Sequence, residues 1–197
     1  MEPKYYSLTE LLNKIEEPNG SVCKRMLEEN KERFSCAIGS SHNHQSWEGG
    51  YLDHLTEIMN IAILLYKPLN EARPLHFSLS DALLVLYLHD LEKPWKYQKI
   101  TEGKWKSDHL LKDKETQVWP FVQKKIKEYN FELTDEHWNG IKYVEGEKND
   151  YVPGKRTQNP LAAFAHLCDN WSARGWFDCP NEYDVWKGAK KSKEKER

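Results

Sequence analysis

The chain lacks a run of about 20 apolar residues, the length that a bilayer-spanning helix needs. Its longest apolar stretches, near 58–66 and 82–88, fall well short, so the sequence offers no membrane helix and no membrane partner is expected. It lacks C-x-x-C pairs. Cys23, Cys36, Cys168 and Cys179 have no His or Cys beside them at zinc-finger spacing, which leaves reduced, structural cysteines as the expectation. No apolar stretch follows Met1 as a secretory leader would require, so a cytoplasmic location is expected. An excess of positive charge is absent too. With a formal net charge of -2 there is no global field to hold nucleic acid, and no stable nucleic-acid partner is expected.

What is present suits a globular protein. Hydrophobic residues are 39% and charged residues 30% of 197, enough to bury a core in one domain of ordinary size. The 8 Trp and 10 Tyr make aromatic packing or stacking important somewhere. No internal repeat and no linker divides the chain. Residues 1–189 read as a single domain, and 190–197, a run of Lys, Glu and Arg with one Ser, as a charged tail.

The periodicity reads as helix after helix, an all-α fold. Ser7 with Glu10 and Ser78 with Asp81 have the spacing that caps a helix start. They open expected helices over 7–17 and from Ser78 to Pro94, and another is expected at 21–34. Residues 51–66 carry Leu55, Ile58, Met59, Ala62 and Leu65 at i, i+3, i+4 spacing, with Pro68 closing the helix. The run from Ala82 to Leu88 is apolar all round, which places that helix at the centre. The stretch 95–108 reads as a short hairpin or a loop. Helical pattern returns at 113–129 and 134–144, and Asn159-Pro160 opens a last helix reaching about Arg174. Gly49 and Gly50, just before the 51–66 helix, allow an unusual backbone angle or a close approach.

Three of these helices carry side chains that can bind a metal. His54 lies at the edge of the apolar face of its helix. His89 follows Val85 by one turn on the central helix, with Asp90 beside it. Asp169 follows Ala165 by one turn and Ala162 by two. A carboxylate within an apolar run costs free energy unless a cation meets it. Two imidazoles and two carboxylates suit one divalent ion such as Mn, Co, Fe, Ni, Zn or Mg. Such an ion lowers the pKa of its water and offsets charge on a phosphoryl group.

The order His, His-Asp, Asp on successive helices resembles the HD-domain metal-dependent phosphohydrolases. Glu48-Gly49-Gly50-Tyr51-Leu52-Asp53-His54 is similar to the E-G-G-L-L-x-H of small phage and bacterial members. Leu86-Tyr87-Leu88-His89-Asp90-Leu91-Glu92-Lys93-Pro94 resembles A-L-L-H-D-I-G-K-P, and Ala165 to Trp171 the segment with the last Asp. The resemblance covers about 34–175 and implies an HD-type helical bundle. It implies that His54, His89, Asp90 and Asp169 ligate the metal and that Lys93 contacts phosphate or assists proton transfer. The substrate it implies is a nucleotide, hydrolysed as by a 5'-nucleotidase or a (deoxy)nucleoside triphosphate triphosphohydrolase. Homo-oligomers are common among the small members. The chain departs from the family where further histidines hold a second metal: Lys112 or Asp113, and Val144, stand there, while His109 and His137 do not match. One ion is therefore expected. Glu92 replaces the Gly of H-D-I-G-K.

Several residues carry two readings each. Glu92 is a general acid/base or faces solvent. His44 is a phosphate contact, a proton donor or a loop histidine. Trp47 stacks on a base or packs in the core. Lys96, with Lys99, Lys104 and Lys106, steers a polyanion or forms a solvated face, and His166 supports Asp169 or packs. His42 and His76 are given no role. Two other functions stay open: a cyclic-nucleotide phosphodiesterase or HD-type oxygenase with two metals, and a non-catalytic nucleotide-binding or regulatory module.

Overall fold

The computed structural model describes residues 4–41, 44–101, 104–108 and 111–176, with the side chains of 98–101 and 104–106 left aside. The expected tail at 190–197 and Cys179, His42 and His109 lie outside the described residues. Helices account for the architecture: α1 (Leu8–Leu12), α2 (Asn19–Glu29), α3 (Lys31–Cys36), α4 (Gly50–Ala72), α5 (Leu79–Leu88), α6 (Lys93–Lys96), α7 (Trp119–Tyr129), α8 (Asp135–Tyr143) and α9 (Pro160–Asn170). One antiparallel hairpin, β1 (Tyr97–Thr101) with β2 (Lys104–Ser107), fills the stretch read as hairpin or loop. The fold is all-α with that small insertion.

The apolar run forms the middle of the bundle. Ala82 to Leu88 on α5 are all at most 2% exposed, and α5 packs on α2, α4, α8 and α9. Each buried Leu there adds about 1.5–3 kcal/mol over an exposed one. Both expected capping pairs form: Ser7 with Glu10 and Ser78 with Asp81 exchange side-chain and backbone bonds. Asn159 caps α9, its side chain accepting from the Ala162 backbone at 2.7 Å.

Helix boundaries differ from the periodic reading where local chemistry intervenes. The 7–17 segment is helical only to Leu12. Beyond it, the Glu16 backbone N–H donates to Ser80 Oγ at 2.8 Å, fixing a turn against the start of α5. The 21–34 segment splits at Asn30, whose amide donates to Met26 O and Tyr129 Oη and breaks the helical path. Conversely, α4 runs past Pro68 to Ala72. Pro68 cannot donate to the Leu64 carbonyl, but Leu64 and Leu69 are exposed there, where water can satisfy the freed oxygen. Pro94 lies inside α6 rather than ending α5, which stops at Leu88. Two π-helical turns, Lys114–Val118 and Trp171–Gly175, continue into α7 and out of α9.

Among the described residues Cys23 and Cys168 are free thiols, and no helix is long and apolar enough to cross a membrane. Burial pushes the Cys23 and Cys168 thiols well up.

Candidate metal centre

The site begins with the turn before α4. Gly49 caps that helix at φ 80°, a left-handed angle that suits glycine. A Cβ on Gly50 would run into the Gln45 carbonyl. The two glycines thus let Gln45 approach the start of α4, with the Gly39 N–H donating to Gln45 O at 2.9 Å. That approach sets the His44 ring 4.7 Å from the His54 ring, one turn into the helix, and brings Gln45 to Glu57 and Ser172.

His54, His89 and Asp90 bring their ligand atoms within 4.8 Å of one another, a cluster that can hold a metal ion. Asp169 joins from α9, its Oδ1 3.1 Å from His54 Nε2 and 3.5 Å from His89 Nε2. Asp90 Oδ2 lies 3.1 Å from His89 Nε2 and pairs with Lys93 Nζ. Both histidine side chains are at most 1% exposed. Their Nε2 atoms are buried without an aligned hydrogen-bond partner, although carboxylate oxygens stand near. Orphaned buried nitrogens are rare and call for an explanation. Nitrogen and oxygen donors facing a common point fit a divalent first-row ion.

The far side of each ring sets its tautomer. His89 Nδ1 donates to the Leu86 carbonyl at 2.7 Å. The Ser172 hydroxyl donates to Glu57 Oε2, so its oxygen is left to accept, and His54 Nδ1, 3.1 Å away, must donate to it. Gln45 Nε2 donates to the same Glu57 oxygen at 3.1 Å and to Ser172 Oγ at 3.3 Å. Each ring therefore spends its Nδ1–H behind the site and turns Nε2 towards it. Partners of this kind orient metal-binding histidines and raise their basicity.

Charge is sorted by burial and neighbours. Burial lowers the His54 pKa. Burial also opposes charge on His89, but Asp90 and Asp169 outweigh it and raise that ring to about 10. Asp169 resists its own burial because His54 and His89 hold it well below the usual carboxylate range. Burial, then Asp90, raises Glu92. His44 is brought down to about 4 by burial and by His54.

A cavity of about 410 Å³ opens over the cluster. Asp90 and Asp169 lie in its wall with Lys93, Lys96, Lys114, Lys148 and Arg174, and His44, Glu92, His166 and Glu145, which pairs with Lys114, also line it. The structure thus brings together His54, His89, Asp90, Asp169, Lys93, Lys96, Glu92 and His44. Glu92 is 3% exposed, so the solvent-facing reading does not apply. Trp47 is engaged elsewhere, its indole N–H donating to Asp53 Oδ2 at 2.8 Å. The side chains of Lys99, Lys104 and Lys106 lie outside those described. His137 pairs with Asp81 near the capped start of α5, and His166 Nδ1 bonds the Val144 carbonyl while the residue lines the cavity.

The sequence reading missed Glu57, Gln45 and Ser172. Glu57 had a signal, a carboxylate one turn past His54 among the apolar positions of α4. Gln45 and Ser172 had none, because a loop and a π-helical turn bring them in. No family model, no curated protein and no solved structure matches the chain.

Proposed function

We propose that the chain is a metal-dependent phosphohydrolase of the HD type acting on nucleotides. One observation carries the reading: two buried Nε2 atoms face Asp90 and Asp169 beneath a cavity walled by Lys93, Lys96, Lys114 and Arg174. An ion site under cationic walls fits a phosphate ester better than a neutral or cationic substrate, because both ion and walls offset phosphoryl charge. The order and spacing of His54, His89-Asp90 and Asp169, which resemble the HD family, support the same reading.

When bound, a divalent ion supplies Lewis acidity and a water of lowered pKa. The chain's own residues do the rest. His54, His89, Asp90 and Asp169 hold the ion. Lys93, fixed beside Asp90, offsets charge on the phosphoryl oxygens, and Arg174 and Lys114 bind the remaining phosphate. Glu92, buried in the cavity wall with its pKa raised by burial and by Asp90, is placed to donate a proton to the leaving oxygen. His44, brought down to about 4, is neutral at pH 7 and suits a positioning contact more than acid catalysis.

The test is a screen of nucleoside mono- and triphosphates with Mg, Mn and Co, with the products identified. Released phosphate, pyrophosphate or triphosphate distinguishes the 5'-nucleotidase from the triphosphohydrolase. Hydrolysis of a cyclic nucleotide with two bound metals would favour the phosphodiesterase instead. A metal-loaded protein that turns over no phosphate ester defeats the proposal.

A further inference from the structure

Behind His89 lies a second chamber of about 220 Å³ that the phosphate chemistry leaves unused. Its walls include Val118, Val122, Ile141 and the rings of Trp119 and Tyr143. His89 bounds it towards the ligand cluster, while Glu92, Lys114 and Lys148 line both this chamber and the cationic cavity. The two spaces adjoin and differ in character. One is rich in Lys and Arg beside the ion site, and the other sets Val118, Val122, Ile141, Trp119 and Tyr143 against charged residues that include Lys142 and Asp150.

Both rings are fixed by neighbours, Trp119 from outside the chamber and Tyr143 by a residue of its wall. Trp119 stands edge-on to Trp138, with centroids 5.9 Å apart, and the Tyr143 hydroxyl donates to Asp150 Oδ2 at 2.7 Å. The π-helical turn Lys114–Val118 leads directly into Trp119. It places Lys114 at the junction of the two spaces and Val118 in the apolar wall, and such turns are frequent at functional sites. Glu115 and Glu147 also line the chamber, offering acceptors to ring amino or imino hydrogens.

The occupant follows from this chemistry. The lysines of this chamber are matched by Glu92, Glu115, Glu147 and Asp150, which leaves little net charge for a phosphate, and the chamber is several times the roughly 30 Å³ share of one water. With its neighbour it reaches the size of a small-molecule site, roughly 300–1,000 Å³. A flat ring that stacks, accepts apolar walls and donates hydrogen bonds matches it. We infer that this chamber binds the base of a nucleoside phosphate whose phosphoryl group occupies the adjoining cationic cavity. The inference rests on the phosphohydrolase reading and adds to it the seat of the base, with Trp119 as the stacking ring.

The experiment compares KM and kcat for nucleotides and for ribose 5-phosphate, which lacks the base, in the wild type, Trp119→Ala and Trp119→Phe. The wild type is expected to favour nucleotides through KM. Loss of one stacked ring in Trp119→Ala should raise the nucleotide KM about 5- to 100-fold, with a smaller change in kcat. Trp119→Phe should recover most of it. Val118→Trp, which fills the chamber instead of emptying it, should cause the same loss of selectivity and guards against misfolding of Trp119→Ala. Equal handling of ribose 5-phosphate and nucleotides, with both chamber variants indifferent, overturns the inference and leaves the hydrolase reading standing. If the Mn-loaded wild type hydrolyses no ester, that reading falls. Titration with adenosine, guanosine, cytidine and thymidine then decides the chamber: binding weakened by Trp119→Ala supports it, and no binding overturns it.

Discussion

His54 Nε2 and Asp169 Oδ1 stand 3.1 Å apart, one on α4 and one on α9, without hydrogen-bond alignment. His89 Nε2 and Asp90 Oδ2 stand at the same distance on the other side. Two imidazole nitrogens and two carboxylate oxygens this close, with no aligned hydrogen bond at either Nε2, are arranged around a shared position. In a metal-free chain the nearest available cations are Lys93 and a proton on His89. That arrangement makes the ligand set testable apart from any enzyme assay.

His89→Ala and Asp169→Ala should each abolish bound metal and hydrolysis together. Metal content after dialysis against Mn, measured by mass spectrometry, should fall from about one equivalent to background, with far-UV circular dichroism unchanged. Retained metal in both variants would refute the ligand assignment.

Ser172→Ala and Glu57→Gln leave every ligand in place but remove what fixes the His54 ring. Loss of such partners weakens metal affinity roughly 10- to 100-fold. Competition with a fluorescent chelator reads this directly. Affinity equal to wild type in Ser172→Ala would mean that the ring needs no such support.

Metal binding should release a proton. With its pKa raised to about 10, His89 is protonated at pH 7 when no ion is bound, and the ion must displace that proton. His54, lowered by burial, has none to lose. Titration calorimetry in two buffers of different ionisation enthalpy should therefore report about one proton released, and affinity should rise about tenfold per pH unit from 7 towards 10. The metal-free fold behaves oppositely. The folded pKa of His89 lies above its ordinary value, so its contribution to stability is complete below about 6.5 and is lost as pH rises through about 10. Zero proton release at pH 7 would contradict this charge state.

Leu83→Ala on the central helix should cost about 2–5 kcal/mol, since Leu83 is fully buried. Gly49→Ala, at φ 80°, should cost about 1–2 kcal/mol and shift the loop that carries Gln45 and His44. Chemical denaturation of both variants measures these changes, and a Gly49→Ala protein as stable as wild type would show that the cap tolerates a Cβ.

The helical fold and the four convergent side chains were legible in the sequence for a shared reason. Apolar periodicity marks α4, α5 and α9, and a ligand placed one turn from an apolar position inherits its direction towards the core. The caps at Ser7, Ser78 and Asn159 were legible because they act within three or four residues. Asn30, Pro68 and the two π-helical turns were not, since each depends on a distant partner or on exposure. Ser172 shows the limit clearly. It reaches His54 only because the helix after Asp169 widens by one residue per turn, and nothing local in Trp171-Ser172-Ala173 announces that.

The convergence on α4, α5 and α9 has a mechanical meaning. These helices come from widely separated parts of the chain, and His54 and Ser172 alone meet across a separation of 118 residues. An ion at their junction would act as a fastening that closes those long loops, as a covalent cross-link does. Loading would then raise the melting temperature in proportion to the logarithm of free metal, and a chelator would remove that gain.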